Sequence, residues 1–228
     1  MTACLVMLCT VSSLPSYSQF LPDLQARTPA EFDAYLDVLD GPAMEKGETF
    51  LREYPESALR LPVYEILAKE WRRKGERARA VEAAERALTI APEYAPVLVE
   101  LADLLANGTE KLDRAEAAAR QALEVLGRVK APLRVGPQEW AAAVDGLRAR
   151  AHGALGLVQF KRDNAAGAAL ELETAVQLAP DAATHYRLGR VYGVLGRRAE
   201  ARAQLELAAR TKDEALRALV RKAMGELR

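Results

Sequence analysis

Histidine and cysteine are the first candidates for catalysis or metal binding, because they act as general bases, nucleophiles and metal ligands. The chain of 228 residues has two of each. His152 and His185 lie 33 residues apart, so a repeat of that length would make them neighbours in space. No cysteine or acidic cluster joins them at a recognisable ligand spacing. We therefore favour structural histidines and predict no catalytic residue, metal or cofactor. A metal-dependent or hydrolytic enzyme that uses His152 and His185 is the alternative.

Both cysteines lie within the first ten residues, in an apolar stretch without charge. Ser16 and Ser18 give this stretch the small residues of a signal-peptide cleavage site before Gln19. The stretch is shorter than the roughly 20 apolar residues that span a bilayer. We predict a signal peptide over 1–18, cleaved near Ser18/Gln19, and an exported protein, periplasmic or secreted. Because no basic residue precedes Arg27, a cytoplasmic protein with a docked N-terminal segment is the alternative.

The charge balance bears on the class of partner. Lysine and arginine total 32, and aspartate and glutamate also total 32. Nucleic acids and anionic membrane surfaces attract proteins through excess positive charge, which this chain lacks. Beyond the N-terminal stretch, no segment is apolar enough to cross a membrane. We therefore predict no nucleic-acid ligand and no stable membrane span.

A pattern that returns about every 34 residues indicates pairs of helices. Small residues recur where the two helices of a pair would cross, and a proline follows the second helix. Helices packed about 8 to 10 Å apart leave no room for long side chains at the crossing. The clearest copies are Tyr64, Leu67, Ala68, Trp71, Gly75, Ala80, Ala84, Ala87 and Pro92; His152, Leu155, Gly156, Gln159, Asp163, Ala168, Leu172, Ala175 and Pro180; and Tyr186, Leu188, Gly189, Tyr192, Gly196, Ala201, Leu205 and Ala208.

Repeats of this length and pattern resemble the tetratricopeptide repeat (TPR) family, and in style its exported bacterial members. The resemblance covers about residues 28–210. It implies an all-α, right-handed superhelical solenoid of antiparallel helix hairpins with a C-terminal capping helix. The composition agrees with this fold, because half of the residues are hydrophobic but only 6% are aromatic, which favours a thin, closely packed core.

The repeat pattern also divides the chain. Residues 28–31 carry a start signal for the first helix: a capping threonine, a proline and then a glutamate. An insertion loop at about 127–138, with two glycines and two prolines, interrupts the repeats before one long helix. It is either a tolerated surface insertion or a functional loop. The predicted segments are a linker over 19–27, a degenerate first hairpin over 28–60, TPR-like repeats over 61–210 and a capping helix over 211–228.

The resemblance implies that a partner binds in a concave groove, lined by the first helix of each hairpin. The groove positions combine a basic end, a polar middle and an exposed aromatic, which suits a peptide of acidic character. They depart from the family's clamp for terminal carboxylates, because Glu65 and Glu100 stand where cationic or amide groups are expected. The predicted groove residues are Glu65, Lys69, Arg72, Arg73, Asp103, Asn107, Arg150, Phe160, Lys161, Tyr186 and Arg190.

The sequence thus predicts a non-catalytic protein–protein interaction module, an adaptor or scaffold that binds a peptide or protein segment in this groove. One alternative is a self-assembling structural protein of the cell envelope, in which the ends of the solenoid or the insertion loop form a homo-oligomer. Another is a regulatory domain that was once fused to a catalytic one.

Overall fold

The computed structural model describes residues 24–132 and 135–227, which form eleven α-helices and no strand. The predicted signal peptide and its cleavage position lie outside these residues. The helices are α1 (Pro29–Asp40), α2 (Ala43–Glu53), α3 (Arg60–Arg73), α4 (Arg77–Ile90), α5 (Ala95–Ala106), α6 (Leu112–Arg128), α7 (Pro137–Lys161), α8 (Ala165–Leu178), α9 (Ala182–Val194), α10 (Arg198–Ala208) and α11 (Glu214–Glu226).

The first helix begins as its sequence predicts. The Thr28 hydroxyl oxygen accepts a hydrogen bond from the backbone N–H of Glu31 at 3.1 Å, and Pro29 occupies the first helical position. The Glu31 carboxylate accepts hydrogen bonds from the Arg27 N–H at 2.6 Å and from the Ser57 hydroxyl. Burial raises the pKa of Glu31, but these hydrogen bonds outweigh it and hold the pKa below its usual range. The carboxylate therefore ties the start of α1 to the loop before α3.

The helices pair into consecutive hairpins that stack along one direction. Helices α1 and α2, α3 and α4, α5 and α6, α7 and α8, and α9 and α10 pack against each other in pairs. The second helix of one hairpin also packs on the first helix of the next, and the first helices α3, α5, α7 and α9 contact one another in sequence. We call these four helices the inner layer and α4, α6, α8 and α10 the outer layer. This arrangement confirms an all-α solenoid of helix hairpins.

Small residues bring the two helices of a hairpin together at their crossing. In α4, Ala80, Ala84 and Ala87 are fully buried. In α7, a Cβ atom added to Gly156 would lie 2.7 Å from Cγ of Leu172 on α8. The equivalent Gly189 of α9 leaves only 2.8 Å to Cγ of Leu205 on α10. The crossings therefore lie where the repeat pattern predicts them, and at two of them an added methyl group would force neighbouring atoms to shift.

The turns between paired helices repeat one backbone conformation. Gly75 and Gly196 occupy equivalent turns with φ of 81° and 74°, the left-handed region that glycine adopts without steric cost. Asp163 takes the same conformation at the equivalent turn after α7, with φ of 58°. The turn after α5 is longer, and Lys111 adopts the left-handed conformation there. The hairpins thus reverse direction by a common geometry.

The connection between α6 and α7 is shorter than the predicted insertion loop of 127–138. Gly127 and Arg128 complete the last turn of α6, and Pro137 and Gln138 lie in the first turn of α7. The Arg148 guanidinium donates a hydrogen bond at 2.9 Å to the carbonyl oxygen of Leu126 near the end of α6. Helix α7 has 25 residues and packs on α6 as well as on α5 and α8.

The last helix covers the end of the array. Asp213 caps α11 by accepting hydrogen bonds from the N–H groups of Ala215 and Leu216. Val220 and Ala223 form a small apolar cluster with residues of α10, whereas the side chain of Leu219 is 48% exposed. Of the helices in the described ranges, none combines the length and the apolar character needed to cross a bilayer.

The close crossings predict opposite effects of the same substitution at two glycines inside helices. We expect Gly189→Ala to lower the free energy of unfolding by about 1–3 kcal/mol, because its methyl group overlaps Leu205 and the Ala201 carbonyl. Gly146→Ala should raise it by up to about 1 kcal/mol through helix propensity, because a Cβ added to this residue of α7 would meet no side chain or neighbouring helix within 4 Å. Urea denaturation measures both. Equal stabilisation by the two variants would show that the α9–α10 crossing can accommodate a methyl group at residue 189.

Candidate functional site

The inner layer carries the predicted groove residues, but the structure divides them. Lys69, Arg72, Glu65, Asp103 and Arg150 take part in ion pairs. Asn107, Phe160, Tyr186 and Arg190 line a pocket. Arg73 also forms an ion pair, but with a residue of its own helix, and Lys161 donates hydrogen bonds to backbone carbonyls instead. The two groups occupy different parts of the inner layer and have different chemistry.

A fully buried carboxylate organises the first group. Glu100 of α5 is 0% exposed, and its Oε2 accepts a hydrogen bond from Arg150 of α7 at 2.8 Å. Its Oε1 lies 2.7 Å from Nε of Arg72 on α3, an ion pair whose angle falls short of a hydrogen bond. A buried carboxylate requires such partners, since an unpaired charge in the interior is strongly destabilising. Glu100 therefore joins three successive helices of the inner layer.

The ion pairs continue toward the C-terminal hairpins. Asp103 of α5 lies 3.5 Å from Arg150 and 3.8 Å from Arg187 of α9. Arg72, Glu100, Arg150, Asp103 and Arg187 thus form an alternating series across α3, α5, α7 and α9, which we call the ion ladder. Because its members come from four helices, the ladder fixes how successive hairpins stack.

A second buried glutamate lies next to the ladder on α3. Glu65 pairs with Lys69 at 2.5 Å and accepts a hydrogen bond from the Tyr94 hydroxyl at 2.6 Å. Burial, together with the charge of Glu65 and this hydrogen bond, raises the pKa of Tyr94 far above its usual value. Burial and the charge of Glu65 raise the pKa of Tyr35 to about 12. Tyr94 hydrogen-bonds the carboxylate, and both tyrosines keep their protons to a higher pH than free tyrosine does.

These contacts change the expectation of a free basic end. Lys69 and Arg72 have intramolecular carboxylate partners, in Glu65 and Glu100. The structure separates Arg73 from the others: its side chain is 75% exposed and pairs with Glu70 on the same helix. Positive charge at this end of the inner layer is thus largely compensated by the protein itself.

Lys161 has a structural role at the end of a neighbouring helix. Its ammonium group donates hydrogen bonds to the carbonyl oxygens of Ala106, at 2.7 Å, and of Gly108. A cation there satisfies carbonyls that the end of α5 leaves unpaired and complements the negative end of the helix dipole. Burial lowers the pKa of Lys161, and the charges of Arg77 and Arg187 lower it further.

A pocket of about 300 Å³ opens between α5, α7 and α9, with α8 behind it, and we call it the groove pocket. Its rim carries Arg190, whose guanidinium carbon lies 5.9 Å from the ring centre of Phe160. Arg190 is exposed, and no carboxylate in the described part of the chain lies within ion-pair distance of it. The wall is apolar and the rim is polar. The lining residues are Asn107, Gly156, Leu157, Phe160, Leu172, Ala183, Tyr186, Arg187, Arg190 and Val191.

Comparison with known proteins supports the fold. No protein-family model and no curated protein matches the chain. Among solved structures, PilW superposes with a TM-score of 0.62 at 14% identity, covering 87% of this chain and 88% of PilW. A TPR protein of Thermus thermophilus gives a TM-score of 0.55 at 23% identity, covering 85% of this chain and 98% of that one. The chain has the TPR fold.

A larger protein contains the same fold. A chain of the APC/C hetero-tetramer Cut9–Hcn1 gives a TM-score of 0.63 at 17% identity over 84% of this chain. The match covers 35% of the length of the Cut9–Hcn1 chain, so this chain spans about a third of that protein. At these identities the comparisons establish the architecture of the repeats.

Within the TPR fold, sequence reasoning missed important residues of the inner layer. Arg187 sits one residue after Tyr186 and occupies the same repeat position as Glu100, which could have indicated an ionic partner on that face. Tyr94 precedes α5 in a loop, and nothing in its local sequence points to Glu65. Leu172 belongs to an outer helix and reaches the groove pocket because Gly156 leaves the crossing open.

The two histidines take equivalent places in consecutive TPR hairpins. Nδ1 of His152 lies 2.7 Å from the Glu171 carboxylate, and Nδ1 of His185 lies 2.7 Å from the Gln204 side-chain oxygen. Each therefore bridges the two helices of its own hairpin. In residues 24–132 and 135–227, no three histidine, cysteine, aspartate or glutamate side chains converge as metal ligands would.

A larger cavity of about 550 Å³ lies between α4, α5 and the turn that follows α5. Its charged lining residues have both signs: Arg77 and Lys111 face Glu82, Glu85 and Glu110. Arg114 also forms an ion pair with Glu85 at its edge. This mixed lining favours no ligand charge, unlike the rim of the groove pocket.

The ion ladder predicts that two arginines differ in their contribution to stability. We expect Arg150→Met to lower the free energy of unfolding on the order of 2 kcal/mol, below the roughly 3–5 kcal/mol of a fully broken buried pair, because Arg72 still contacts Glu100. The exposed Arg73→Met should change it by less than about 1 kcal/mol. Denaturant unfolding at neutral pH measures both, and equal losses would contradict a ladder centred on Glu100.

The buried tyrosines predict a loss of stability at high pH. The native state keeps Tyr35 and Tyr94 protonated above the usual tyrosine pKa of about 10, whereas the unfolded chain releases both protons. The native state then binds more protons, so the free energy of unfolding should fall as pH rises from about 10 toward 12. Urea denaturation at pH 9, 10 and 11 measures this slope. Tyr94→Phe should reduce this slope. An unchanged slope would show that the ionisation of Tyr94 does not contribute to the loss of stability.

Proposed function

We propose that this chain is a non-catalytic interaction module, and that its inner layer binds a segment of a partner protein. The groove pocket carries this proposal. It is concave, its wall is apolar, and a few polar groups converge at its rim, which are the usual properties of a binding site. Tyr186 and Phe160 supply aromatic surface of the kind enriched where binding energy concentrates.

The chemistry of the pocket suits binding better than catalysis. Its described lining offers guanidinium, amide and phenol groups together with apolar surface. Guanidinium groups recognise and orient anionic groups without titrating, since arginine stays charged at accessible pH. The ion ladder next to the pocket supports a rigid inner surface, because its pairs hold α5, α7 and α9 in register.

Proteins of the same fold support this proposal. One neighbour is part of the Cut9–Hcn1 hetero-tetramer, and PilW is described as a type IV pilus biogenesis factor. We propose that this chain likewise serves an assembly rather than a reaction. The N-terminal sequence adds the proposal that it acts after export, in the envelope or outside the cell.

Self-assembly remains the second candidate function, because some apolar side chains are exposed. Leu170 on α8 is 67% exposed, Val194 at the end of α9 is 65% exposed, and Leu219 on α11 is 48% exposed. They lie on three different helices, and two copies of the chain would need to bring such positions together. The test below separates the two functions.

We expect a photo-crosslinker placed at Asn107, on the rim of the groove pocket, to capture a partner in the native host. p-Benzoylphenylalanine at Arg202, exposed on α10 of the outer layer, is the matched control. The pocket-filling variant Ala183→Trp should abolish the adduct, because Ala183 is exposed and lines the pocket. Immunoblotting and mass spectrometry of the adducts measure the result.

The same experiment has outcomes against the proposal. An adduct formed at position 202 and unaffected by Ala183→Trp would show that the partner binds the outer layer instead. An adduct of twice the mass of this chain, made of two copies, would favour self-assembly instead. Circular dichroism of each variant shows that the helical array has been preserved.

A further inference from the structure

We propose that the groove pocket selects a large apolar side chain that has a side-chain carboxylate close to it, so that the partner is an internal peptide segment of acidic and apolar character. This inference rests on the proposed function, because it names the partner chemistry of the same site. It follows from how charge is distributed over the inner layer.

The ion ladder ends at α9 with an arginine. Its three arginines, Arg72, Arg150 and Arg187, share two carboxylates, those of Glu100 and Asp103. Within the ladder, arginines therefore outnumber carboxylates by one, and the 3.8 Å contact of Arg187 with Asp103 is the longest of these pairs. This longest contact lies at α9, where Arg187 lines the groove pocket.

Arg190 adds a second positive charge to the same rim. It lies one turn after Arg187 on α9, and its contact within the described chain is with the Phe160 ring. A guanidinium over an aromatic ring keeps its N–H donors at the edge free for a carboxylate. The opposite wall does not compensate it, because Lys161 already covers the negative end of α5.

The apolar wall of the groove pocket selects the size and polarity of the side chain that enters it. Leu157, Phe160, Leu172 and Val191 line a volume of about 300 Å³, at the lower end of the range for ligand sites. This space suits one large side chain, such as phenylalanine, tyrosine or leucine, rather than a folded surface. Arg190 stands at the edge of this volume, so the carboxylate it reaches must lie within a few residues of the buried side chain.

The carboxylate is best supplied by an aspartate or glutamate side chain. Capture of a chain terminus relies on several donors that converge on one carboxylate. In the described part of the groove pocket, Arg190 stands apart from the ion pairs, whereas Arg187 is engaged with Asp103. A single guanidinium suits one side-chain carboxylate next to an anchoring residue.

Selection of random dodecapeptides, displayed between fixed flanks so that no free terminus is present, tests this inference. On the wild-type protein we expect enrichment of aromatic or large aliphatic residues within four positions of Asp or Glu. Arg190→Glu should retain the apolar preference and lose the acidic one. Ala183→Trp should abolish both, and Arg202→Glu, a charge reversal on the outer layer, should leave both unchanged.

Amidated synthetic peptides from the selection then give the size of the effect by fluorescence anisotropy. Replacing the acidic residue by its amide should weaken binding to the wild type about tenfold, the loss of one charge-assisted hydrogen bond. The same replacement should not weaken binding to Arg190→Glu, because there it removes a repulsion between two carboxylates. Circular dichroism confirms that each variant is folded.

The possible results separate the two proposals. Apolar peptides without an acidic preference, blocked by Ala183→Trp, would overturn the acidic specificity and leave the proposed function standing. If Arg190→Glu still selects acidic residues, Arg190 at the rim of the groove pocket does not recognise the peptide carboxylate. Failure of every variant and the wild type to enrich any peptide would count against peptide binding by the groove altogether.

Discussion

The structure depends on the close approach of two helices at each hairpin crossing. Where α7 meets α8 and α9 meets α10, a leucine side chain lies directly against the backbone of a glycine, and Ala80, Ala84 and Ala87 serve the α3–α4 hairpin. Such crossings leave few side-chain atoms between the helices, so each hairpin is thin. Thin hairpins bring successive first helices into contact, and only then can a carboxylate on α5 reach arginines on both α3 and α7.

The inner layer consequently has two regions with different electrostatic states. Around α3 and α5, charges are paired within the protein, and Glu65 and Glu100 are buried beneath their partners. On α9, Arg190 has no carboxylate within ion-pair distance among the described residues, and it is exposed beside an apolar pocket. The first region stabilises the stack of hairpins, whereas the second offers a partner both apolar area and unsatisfied charge.

Much of the fold could be predicted because its rules are local. The spacing of small residues, the left-handed turn at Gly75 and the threonine cap at Thr28 each depend on a few neighbouring residues. The site depends on contacts over longer separations. Arg72 meets Glu100 and Lys161 meets Ala106 only after the hairpins have stacked, so sequence alone indicated free cations where the structure has ion pairs and a helix cap. The pairing of Lys69 with Glu65 is the exception, since the two lie one turn apart.

The groove pocket takes its wall from two apolar clusters, because Leu157 packs on one, whereas Leu172 and Val191 belong to the other. The main cluster extends from α1 to Val158 of α7, and a second one, formed by α8, α9 and α10, begins with Ala168. In a repeat array such units can open separately, so the C-terminal hairpin is free to unfold transiently while the remainder stays native. A ligand held between α7 and α9 would couple the two units. Its arrival would therefore extend cooperativity along the chain and slow amide hydrogen exchange in helices that it never touches.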